Sequence, residues 1–457
     1  MINLILNKKS NNNKRVSYAF YYLTKKYNES IKVSYYRDEN SVNIFYGIEP
    51  VGINNIYIPI FDKDNIEHLY FNSYDNMKYA SLEKVNNKPF EELNGNIIFN
   101  FDILYLSSYL LTCNEEYYIE KKDSMDRFLG EFSLRKDKID IPFFNVNSSI
   151  LLDAVRKIDT NIKFNDKKFE IFLTHDVDNV DSRNKYVFLH NVKNIILDKN
   201  KSLGNNINKL FSEMISNRHS QILNYIEIEK RRNAKSEFYF IEGKIHRLGK
   251  RYELKDILVQ INELKSEKFV IGLHTNYFSY DNEDSIKDEI KAIEDFTSTK
   301  VLSCRNHYLR FKVPNTWYNL SNSGILCDST IGYSDKNGFR AGIADGFIPF
   351  DVNENKLINI FEVPLVIMDG IIMEKNISFC EKWDVIRNIL DEVILHKGTV
   401  SVLWHQRVIE NSEYKDMYEK ILDYVNEKSG SFVISDELIK RYNKQQEELN
   451  YIFSSLG

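Results

Sequence analysis

The two parts of this chain differ in how hydrophobic and polar residues alternate. From residue 1 to about residue 162, short β-rich runs such as 42–46 and 56–60 are separated by turns bearing Asn, Asp or Gly. One apolar segment, 101–112, predicts a helix, and residues 136–159 are expected to connect this region to the next through a short helical run. The pattern predicts a smaller α+β domain over residues 1–162, with no role indicated by its sequence.

From residue 168 onward, short apolar runs recur between longer amphipathic stretches. Residues 252–268 and 283–297 carry apolar side chains at helical spacing with charged side chains opposite. This strand–helix alternation indicates an α/β fold with a parallel sheet, doubly wound or closed into a barrel. Residues 204–232 form a polar, helical excursion after the first strand. The predicted strands are 169–174, 237–241, 269–273, 301–304, 324–327, 360–364, 399–403 and 432–435.

Ionisable residues follow several of these strands at their C-terminal ends. They are Asp176 and Asp178 after the first strand, His274 after the third, Arg305 and His307 after the fourth, and His405 after a late one. A parallel barrel gathers its catalytic groups at this edge. We therefore expect these side chains to share one site.

Asp176 and Asp178 lie two residues apart in an extended segment, so they point to the same side. Two carboxylates that close are suited to different roles, one binding a cation and the other staying free as a base. An Asp-rich structural turn is the alternative. His274 would add an imidazole, and oxygen-plus-imidazole ligation suits zinc, with nickel and cobalt as alternatives.

Arg305 and His307 share one face of the predicted fourth strand. Arg305 can pair with the free carboxylate and hold it ionised. A buried strand delivers His405, which is a candidate general acid. A histidine at such a position is more often structural, so His405 and His274 carry weight only as members of the set.

Composition narrows the class of protein. The net charge is -5 and the pI is near 6.1, so no global positive field argues for nucleic acid. No stretch approaches the roughly 18 apolar residues of a membrane span, and the N-terminal residues do not resemble a secretory signal, so a cytoplasmic location is expected. The four cysteines, Cys113, Cys304, Cys327 and Cys380, lie far apart in sequence, and no two of them form a C-x-x-C pair. The first three are expected to be buried thiols.

The order and spacing of these motifs resemble the polysaccharide deacetylases of carbohydrate esterase family four, the NodB-homology group. The resemblance covers about residues 168–443 and is carried by residues 174–178, 236–240, 272–275, 305–308 and 403–405. It implies a distorted parallel (β/α) barrel over residues 163–457. The implied reaction is metal-dependent removal of N- or O-acetyl groups from a carbohydrate.

The resemblance also implies individual roles. Asp176 would be the catalytic base and His405 the acid, Asp178 and His274 would bind the metal, and Arg305 and Tyr308 would belong to the substrate groove, with the Tyr308 backbone N–H at the oxyanion. Asp328 and Asp369 are further candidates for orienting these groups, or else turn residues.

One position departs from the family pattern. The family supplies a second histidine one helical turn after His274, and Phe278 occupies that place. His307 stands where the family usually has proline, so we expect it to be the third ligand, with His175 as the second choice. If no metal binds, the chain would be a non-catalytic carbohydrate-binding barrel. An amidase acting on a small non-sugar amide is the third hypothesis.

Further segments extend the resemblance toward the N-terminus. Residues 101–116 and 127–134, together with 305–311, 328–333, 338–342 and 363–369, are similar to a bacterial subgroup with an extra N-terminal domain. Members of that subgroup are associated with cell-surface polysaccharide synthesis, which the resemblance therefore implies here.

Overall fold

The computed structural model describes the chain except residues 9, 11, 28–29, 50–51, 62–65, 86–87, 164, 166, 181–219 and 457. Residues 204–219 of the predicted excursion at 204–232 therefore lie outside the described residues. Residues 220–231 of it are helical. Within the described residues, no helix combines the length and apolar character needed to cross a membrane.

The first 162 residues build a six-stranded sheet in the order β2-β1-β3-β4-β8-β7, in which all neighbours are parallel except the β7–β8 hairpin. Helices α1, α2 and α4 pack against one another beside it. Asp102 caps α2 by accepting a hydrogen bond from the backbone of Tyr105 at 2.8 Å. The elements are β1 Ile2–Ile5, α1 Asn13–Thr24, β2 Ile31–Ser34, β3 Val42–Tyr46, β4 Asn55–Ile58, β5 Tyr70–Tyr74, β6 Met77–Ser81, β7 Phe90–Leu93, β8 Asn96–Phe99, α2 Ile103–Leu111, α3 Glu115–Tyr118 and α4 Phe143–Ile158.

The remainder of the chain alternates strands and helices, as its hydrophobic pattern predicts. The elements are β9 Glu170–Val177, α5 Ser220–Arg231, β10 Ser236–Ile241, α6 Leu258–Ser266, β11 Val270–Thr275, α7 Glu283–Thr297, β12 Ser303–Asn306, α8 Asn315–Asn322, β13 Cys327–Asp328, β14 Phe350–Asp351, β15 Lys356–Leu357, β16 Phe361–Glu362, β17 Leu365–Met368, α9 Asp369–Met373, α10 Phe379–Leu395, β18 Thr399–Leu403, α11 Ser412–Glu427, β19 Ser431–Phe432 and α12 Ser435–Ser454.

These strands form one curled sheet in the order β16-β13-β12-β11-β10-β9-β18-β17, with β19 beside the start of β9. Every pairing in it is parallel. Its two edge strands, β16 and β17, are separated in sequence by only Val363 and Pro364, so the sheet nearly closes on itself. The expected fold class, a distorted parallel (β/α) barrel with a smaller N-terminal unit, is confirmed.

The central strand of the sheet is buried on both faces. All eight residues of β9 are buried, as expected for a parallel strand covered by helices. Helix α7 shows how one covering helix is defined by its sequence: Asn282 caps its start by accepting from the backbone of Ser285, and Ile286, Ile290 and Ile293 form its buried stripe. Cys113, Cys304 and Cys327 are buried, as predicted.

Several predicted boundaries differ from the observed ones. The strand expected at 301–304 is Ser303–Asn306, the one at 324–327 is Cys327–Asp328, and the helix expected from residue 252 becomes α-helical only at Leu258. Val301 and Ile325 are buried, but they lie in the loops that precede β12 and β13. Their hydrophobicity therefore reflects burial and not membership of a hydrogen-bonded strand. The expected connector 136–159 contains the sixteen-residue helix α4, most of which is buried.

The N-terminal helices pack directly on the barrel. The Tyr18 hydroxyl donates to the Ile348 carbonyl at 2.9 Å, and the Tyr22 hydroxyl accepts from the Ile348 backbone N–H at 2.8 Å. One hydrophobic core contains residues from both parts. The division of the chain at residue 162 into two domains stays a prediction.

Candidate active site

The predicted site residues meet at the C-terminal edge of the curled sheet. Asp176, His274 and Arg305 are the penultimate residues of β9, β11 and β12, Asp178 directly follows β9, and His405 lies two residues beyond β18. They border or underlie a cleft of about 200 Å³. The cleft is lined by Arg127, Asp176, Asp178, Arg251, His274, His307, Tyr308, Leu309, Ser334, Met368, Leu403, His405 and Arg407.

Three side chains in the cleft form a group with the geometry of a metal site. The ligand atoms of Asp178, His274 and His307 all lie within 4.8 Å of one another, and all three residues are buried. Asp178 Oδ1 is 3.4 Å from His274 Nε2 and 3.5 Å from His307 Nε2. Phe278, which occupies the place of the family's second histidine, is largely exposed and does not line the cleft.

The hydrogen bonds of this group leave atoms that could bind a cation. His274 Nδ1 lies 2.8 Å from the carbonyl of Arg305, which can only accept, so Nδ1 carries a proton and Nε2 is the ring nitrogen that faces the carboxylates. Asp178 Oδ1 is buried with no hydrogen-bond partner among the described residues. Because an unpartnered buried carboxylate oxygen is costly, a cation would satisfy it.

The electrostatics of the group lead to the same conclusion. Burial disfavours charge on Asp178, but the surrounding histidines and Arg407 outweigh it and hold the pKa of its carboxyl well below its usual value. Burial likewise opposes charge on His274, yet the Asp176 and Asp178 carboxylates raise its pKa. Burial and repulsion from His274 hold the pKa of His307 well below its usual value, which leaves a neutral imidazole. The space between these ligand atoms therefore favours a positive charge.

The Asp176 carboxylate is held by the buried guanidinium of Arg305. The Arg305 Nη1 atom lies 3.2 Å from Asp176 Oδ1 and 2.6 Å from Thr174 Oγ1. Its other donors bind the carbonyl and hydroxyl of Ser329 and the hydroxyl of Ser401. All five N–H groups of this fully buried guanidinium are therefore engaged, so Arg305 can act on a substrate only through Asp176.

His405 is paired with Asp369, one of the two further aspartates singled out in the sequence. Asp369 Oδ1 lies 2.6 Å from His405 Nδ1, and Asp369 Oδ2 accepts from the His405 backbone N–H at 3.3 Å. Burial alone would lower the pKa of His405, but the carboxylates of Asp369 and Asp178 raise it to about 9. The imidazolium therefore has a proton to donate toward the cleft at neutral pH.

Tyr308 has an unusual backbone. Its φ is 60° and that of Leu309 is 55°, so two consecutive non-glycine residues adopt the left-handed conformation, which costs energy for bulky side chains. The turn places the Tyr308 ring against His307, with ring centroids 4.3 Å apart. The Tyr308 carbonyl accepts from Arg127 Nη1 at 3.2 Å. A residue of the N-terminal region thus supports this turn.

Three arginines of the cleft, Arg127, Arg251 and Arg407, were missed in the sequence. Arg407 Nη1 donates to Asp178 Oδ2 at 2.9 Å, whereas His274 and His307 face the other oxygen, Oδ1. Its position two residues beyond His405, at the end of a strand that delivers a site residue, was the available signal. Arg127 reaches the cleft from the N-terminal region. It begins segment 127–134 of the subgroup resemblance, but nothing in that segment indicated a place in the cleft.

Two other candidates lie elsewhere. His175, the second choice for the third ligand, is buried on the opposite side of β9, where Nδ1 is 2.6 Å from the Trp404 carbonyl and Nε2 is 2.8 Å from Glu229. Asp328 faces another carboxylate, Glu362, in the sheet interior and does not line the cleft. The choice of His307 over His175 agrees with this placement.

Comparisons with known proteins give distant matches. Residues 4–160 match DUF7033, a family of unknown function, over less than half of the chain. Among curated proteins, the comparison finds no match. The proposed subgroup therefore stays a prediction.

Solved structures give matches along the barrel. One is a protein from Mycobacterium smegmatis assigned to the polysaccharide deacetylases, with 13% identity, 62% of this chain and 92% of that chain covered, and a TM-score of 0.43. Another is the Puue allantoinase, with 11% identity, 60% and 90% coverage, and a TM-score of 0.41. A third is BA3943 of Bacillus anthracis, a pseudoenzyme of the CE4 family, with 13% identity, 60% and 66% coverage, and a TM-score of 0.33. Because these similarities are distant, function is argued from the site itself.

Proposed function

We propose that this chain is a metal-dependent hydrolase that removes acetyl groups from a carbohydrate. The observation that carries the proposal is the arrangement of three groups around one cleft: Asp178, His274 and His307 as ligands, Asp176 on Arg305, and His405 on Asp369. Each group supplies a different requirement of amide or ester hydrolysis, namely a cation, a base and an acid.

A divalent cation held by Asp178, His274 and His307, zinc or alternatively nickel or cobalt, would polarise the acyl carbonyl and lower the pKa of a water molecule. Asp176 accepts the proton of the attacking water, because Arg305 donates a hydrogen bond to its carboxylate and fixes the direction of that carboxylate. Arg305 is thus a positioning residue in this mechanism.

His405 completes the reaction by donating its proton to the departing amine or alcohol. Asp369 holds the imidazole by Nδ1, which leaves Nε2 as the donor toward the cleft. The backbone N–H of Tyr308 is the proposed donor to the developing oxyanion. The products are acetate and the deacetylated sugar.

The carbohydrate substrate, and a place in cell-surface polysaccharide synthesis, are supported by the motif order along residues 168–443. The motifs resembling the deacetylase family carry the proposed base, ligands and acid at the ends of the first, third, fourth and a late strand, in family order. The proposed third ligand, His307, is supported by its position within 4.8 Å of the ligand atoms of Asp178 and His274.

One observation favours a second candidate, a carbohydrate-binding barrel without catalysis. Arg407 already supplies a positive charge to Asp178 at 2.9 Å, as an internal cation would. In that case Asp178 would need no metal. Metal content after gentle purification separates the two functions, since the hydrolase carries close to one divalent cation per chain and the binder carries none.

The test of the proposed function combines metal content with a substrate panel. Native protein is assayed for acetate release from acetylated sugars and from small non-sugar amides, and its metals are measured by mass spectrometry. We expect acetate release from acetylated sugars, loss of metal in Asp178→Asn, and loss of turnover with metal retained in Asp176→Asn.

The matched control is Asp384→Asn, which removes an exposed carboxylate on α10 that pairs with Arg387. This variant should keep both metal and activity. Turnover of simple amides in preference to sugars would transfer the assignment to an amidase, and retained activity in Asp176→Asn would contradict the proposed base.

A further inference from the structure

A second cavity lies at the opposite end of the same sheet. It has a volume of about 280 Å³ and is bordered by residues that precede β9 and β18, by the end of α1, by α4 and by α12. It therefore sits where the N-terminal helices meet the barrel, at the amino ends of strands whose carboxyl ends carry Asp176 and His405. Small-molecule sites commonly have volumes from about 300 Å³ upward, so the cavity suits a compact ligand.

Positive charge predominates in its lining. Six cationic side chains line it against two carboxylates, those of Asp345 and Glu448. Lys25 and Lys26 converge on one oxygen of Asp345, at 3.5 and 3.2 Å, and both ammonium groups are largely buried. One carboxylate is thus shared between two cations in a partly dehydrated space.

The balance of charge at Asp345 favours a further anion. Burial lowers the pKa of Lys25 to about 8; Asp345 opposes this effect, but Lys26 and Lys167 reinforce it. Burial also lowers the pKa of Lys26. Because burial and the neighbouring cations both disfavour the charged form of these lysines, an anionic ligand beside them would stabilise it.

The cavity contains a buried group with no hydrogen-bond partner. His396 Nε2 lacks a hydrogen bond among the described residues, and its nearest carboxylate, Glu392, is 3.6 Å away. Burial followed by repulsion from Lys26 lowers the pKa of His396 to about 3, so the ring is neutral. A neutral imidazole nitrogen in a basic cavity offers a hydrogen bond to a ligand.

The type of cation indicates the type of anion. Carboxylates are typically bound by a two-point guanidinium pair, but Arg441 already forms such a pair with Glu170. The remaining buried cations are ammonium groups, which bind phosphate as point charges. Lys167, whose Nζ lies 3.3 Å from the Thr399 hydroxyl, adds a third ammonium group at the rim.

We propose that this cavity binds a small phosphate-bearing molecule through Lys25, Lys26 and Lys167, with His396 as a polar contact. The site is separate from the cleft, and it gives the N-terminal region a binding role because Lys25 and Lys26 directly follow α1. The inference does not depend on the proposed hydrolase activity.

The test is a calorimetric titration of the full-length protein with inorganic phosphate at low ionic strength. We expect saturable binding to the native protein and to Asp178→Asn, and binding at least ten-fold weaker in Lys26→Gln. Lys300→Gln is the matched control, because it removes an 80% exposed lysine of the barrel surface. Citrate serves as the carboxylate probe and should bind more weakly than phosphate.

A second measurement covers the case in which Lys26→Gln fails to fold. Native protein is acylated at its amines with and without phosphate, and the modified lysines are quantified by mass spectrometry. Phosphate should slow modification of Lys25, Lys26 and Lys167 but not of Lys300. Absence of saturable binding, loss of binding in Asp178→Asn, preference for citrate, or uniform labelling would each overturn the proposal.

Discussion

The two ends of one parallel sheet use their charged residues in opposite ways. At the carboxyl end, strand residues and their immediate successors supply the charged groups, and Asp178 Oδ1 faces the imidazoles of His274 and His307 at 3.4 and 3.5 Å. At the amino end, the groups come from helices and loops outside the sheet, and Asp345 is surrounded by the cations of Lys25 and Lys26.

This difference predicts a catalytic role for the cleft at the carboxyl end and a mainly stabilising role for Asp345 at the amino end. In parallel barrels the carboxyl edge collects catalytic groups, and the amino edge contributes mainly to stability. Changes in the cleft should therefore alter turnover or metal binding with little effect on folding. Changes around Asp345 should alter folding with little effect on turnover.

The largest effect is expected for Asp176→Asn. Removing the proposed base should reduce kcat by about 10²–10⁴-fold, the range typical of general acid–base groups. Metal content should be unchanged, because Asp178, His274 and His307 remain. Steady-state kinetics and metal analysis of the same preparation provide the measurement. A variant that loses its metal as well would place Asp176 among the ligands.

At the amino end, Asp345→Asn should destabilise the fold by about 3–5 kcal/mol at neutral pH, because it leaves two buried lysines without their carboxylate. Denaturant unfolding of both proteins measures the difference. The exposed change Asp384→Asn should stay within about 0.5 kcal/mol of native. If the two variants lowered the free energy of unfolding equally, Asp345 would have no greater role in stability than an exposed carboxylate.

The Asp345 contribution should also depend on pH. Burial opposes the charge, but Lys25, Lys26 and Lys167 hold the pKa of Asp345 far below its unfolded value of about 4. For a depressed pKa, the stabilisation is fully present above the unfolded pKa and is lost as pH falls toward the folded one. The stability gap between native and Asp345→Asn should therefore narrow below about pH 4. A constant gap down to pH 2 would contradict the assigned pairing.

A smaller effect is expected for Arg407→Gln in the cleft. If Arg407 orients Asp178 by donating to its Oδ2 atom, loss of Arg407 should weaken metal binding by about 10–100-fold, as is typical for residues that hydrogen-bond to metal ligands. Competitive titration with a metal chelator gives the affinity. Tighter metal binding in the variant would show that Arg407 substitutes for the cation, which favours the non-catalytic barrel.

The smallest effect is a shift in the pH profile of Asp369→Asn. Asp369 raises the pKa of His405, so the acid form is present below that pKa and is lost above it. Removing the carboxylate should move the alkaline limb of kcat to lower pH by about one unit, equivalent to about 1.4 kcal/mol. An unmoved limb would assign it to another group.

Most of the carboxyl-end site could be predicted from the sequence because its signals are local. A short apolar run followed by an ionisable residue identifies Asp178, His274 and His405, and parallel topology then brings the strand ends together. For the position of Phe278, the sequence predicted His307 as the replacement ligand, and His307 lies in one group with Asp178 and His274; its role as a ligand stays a prediction.

The amino-end cavity could not be predicted in this way. Lys26 donates to the carbonyl of His396, and the two residues are 370 positions apart. Neither lies in a motif, and lysine is abundant along the chain. Arg127 was missed for the same reason, since its contact with Tyr308 joins two distant segments. Such pairs are created by tertiary packing and leave no periodic signal.

The central claim is that Asp178, His274 and His307 together bind a divalent cation. A crystal grown with zinc, with diffraction data collected on both sides of the zinc absorption edge, tests it most directly. We expect one anomalous peak about 2.0–2.2 Å from Asp178 Oδ1 and from one nitrogen of each histidine. A map with no peak at this position, or with a peak ligated by Asp178 and His274 but not by His307, would contradict it.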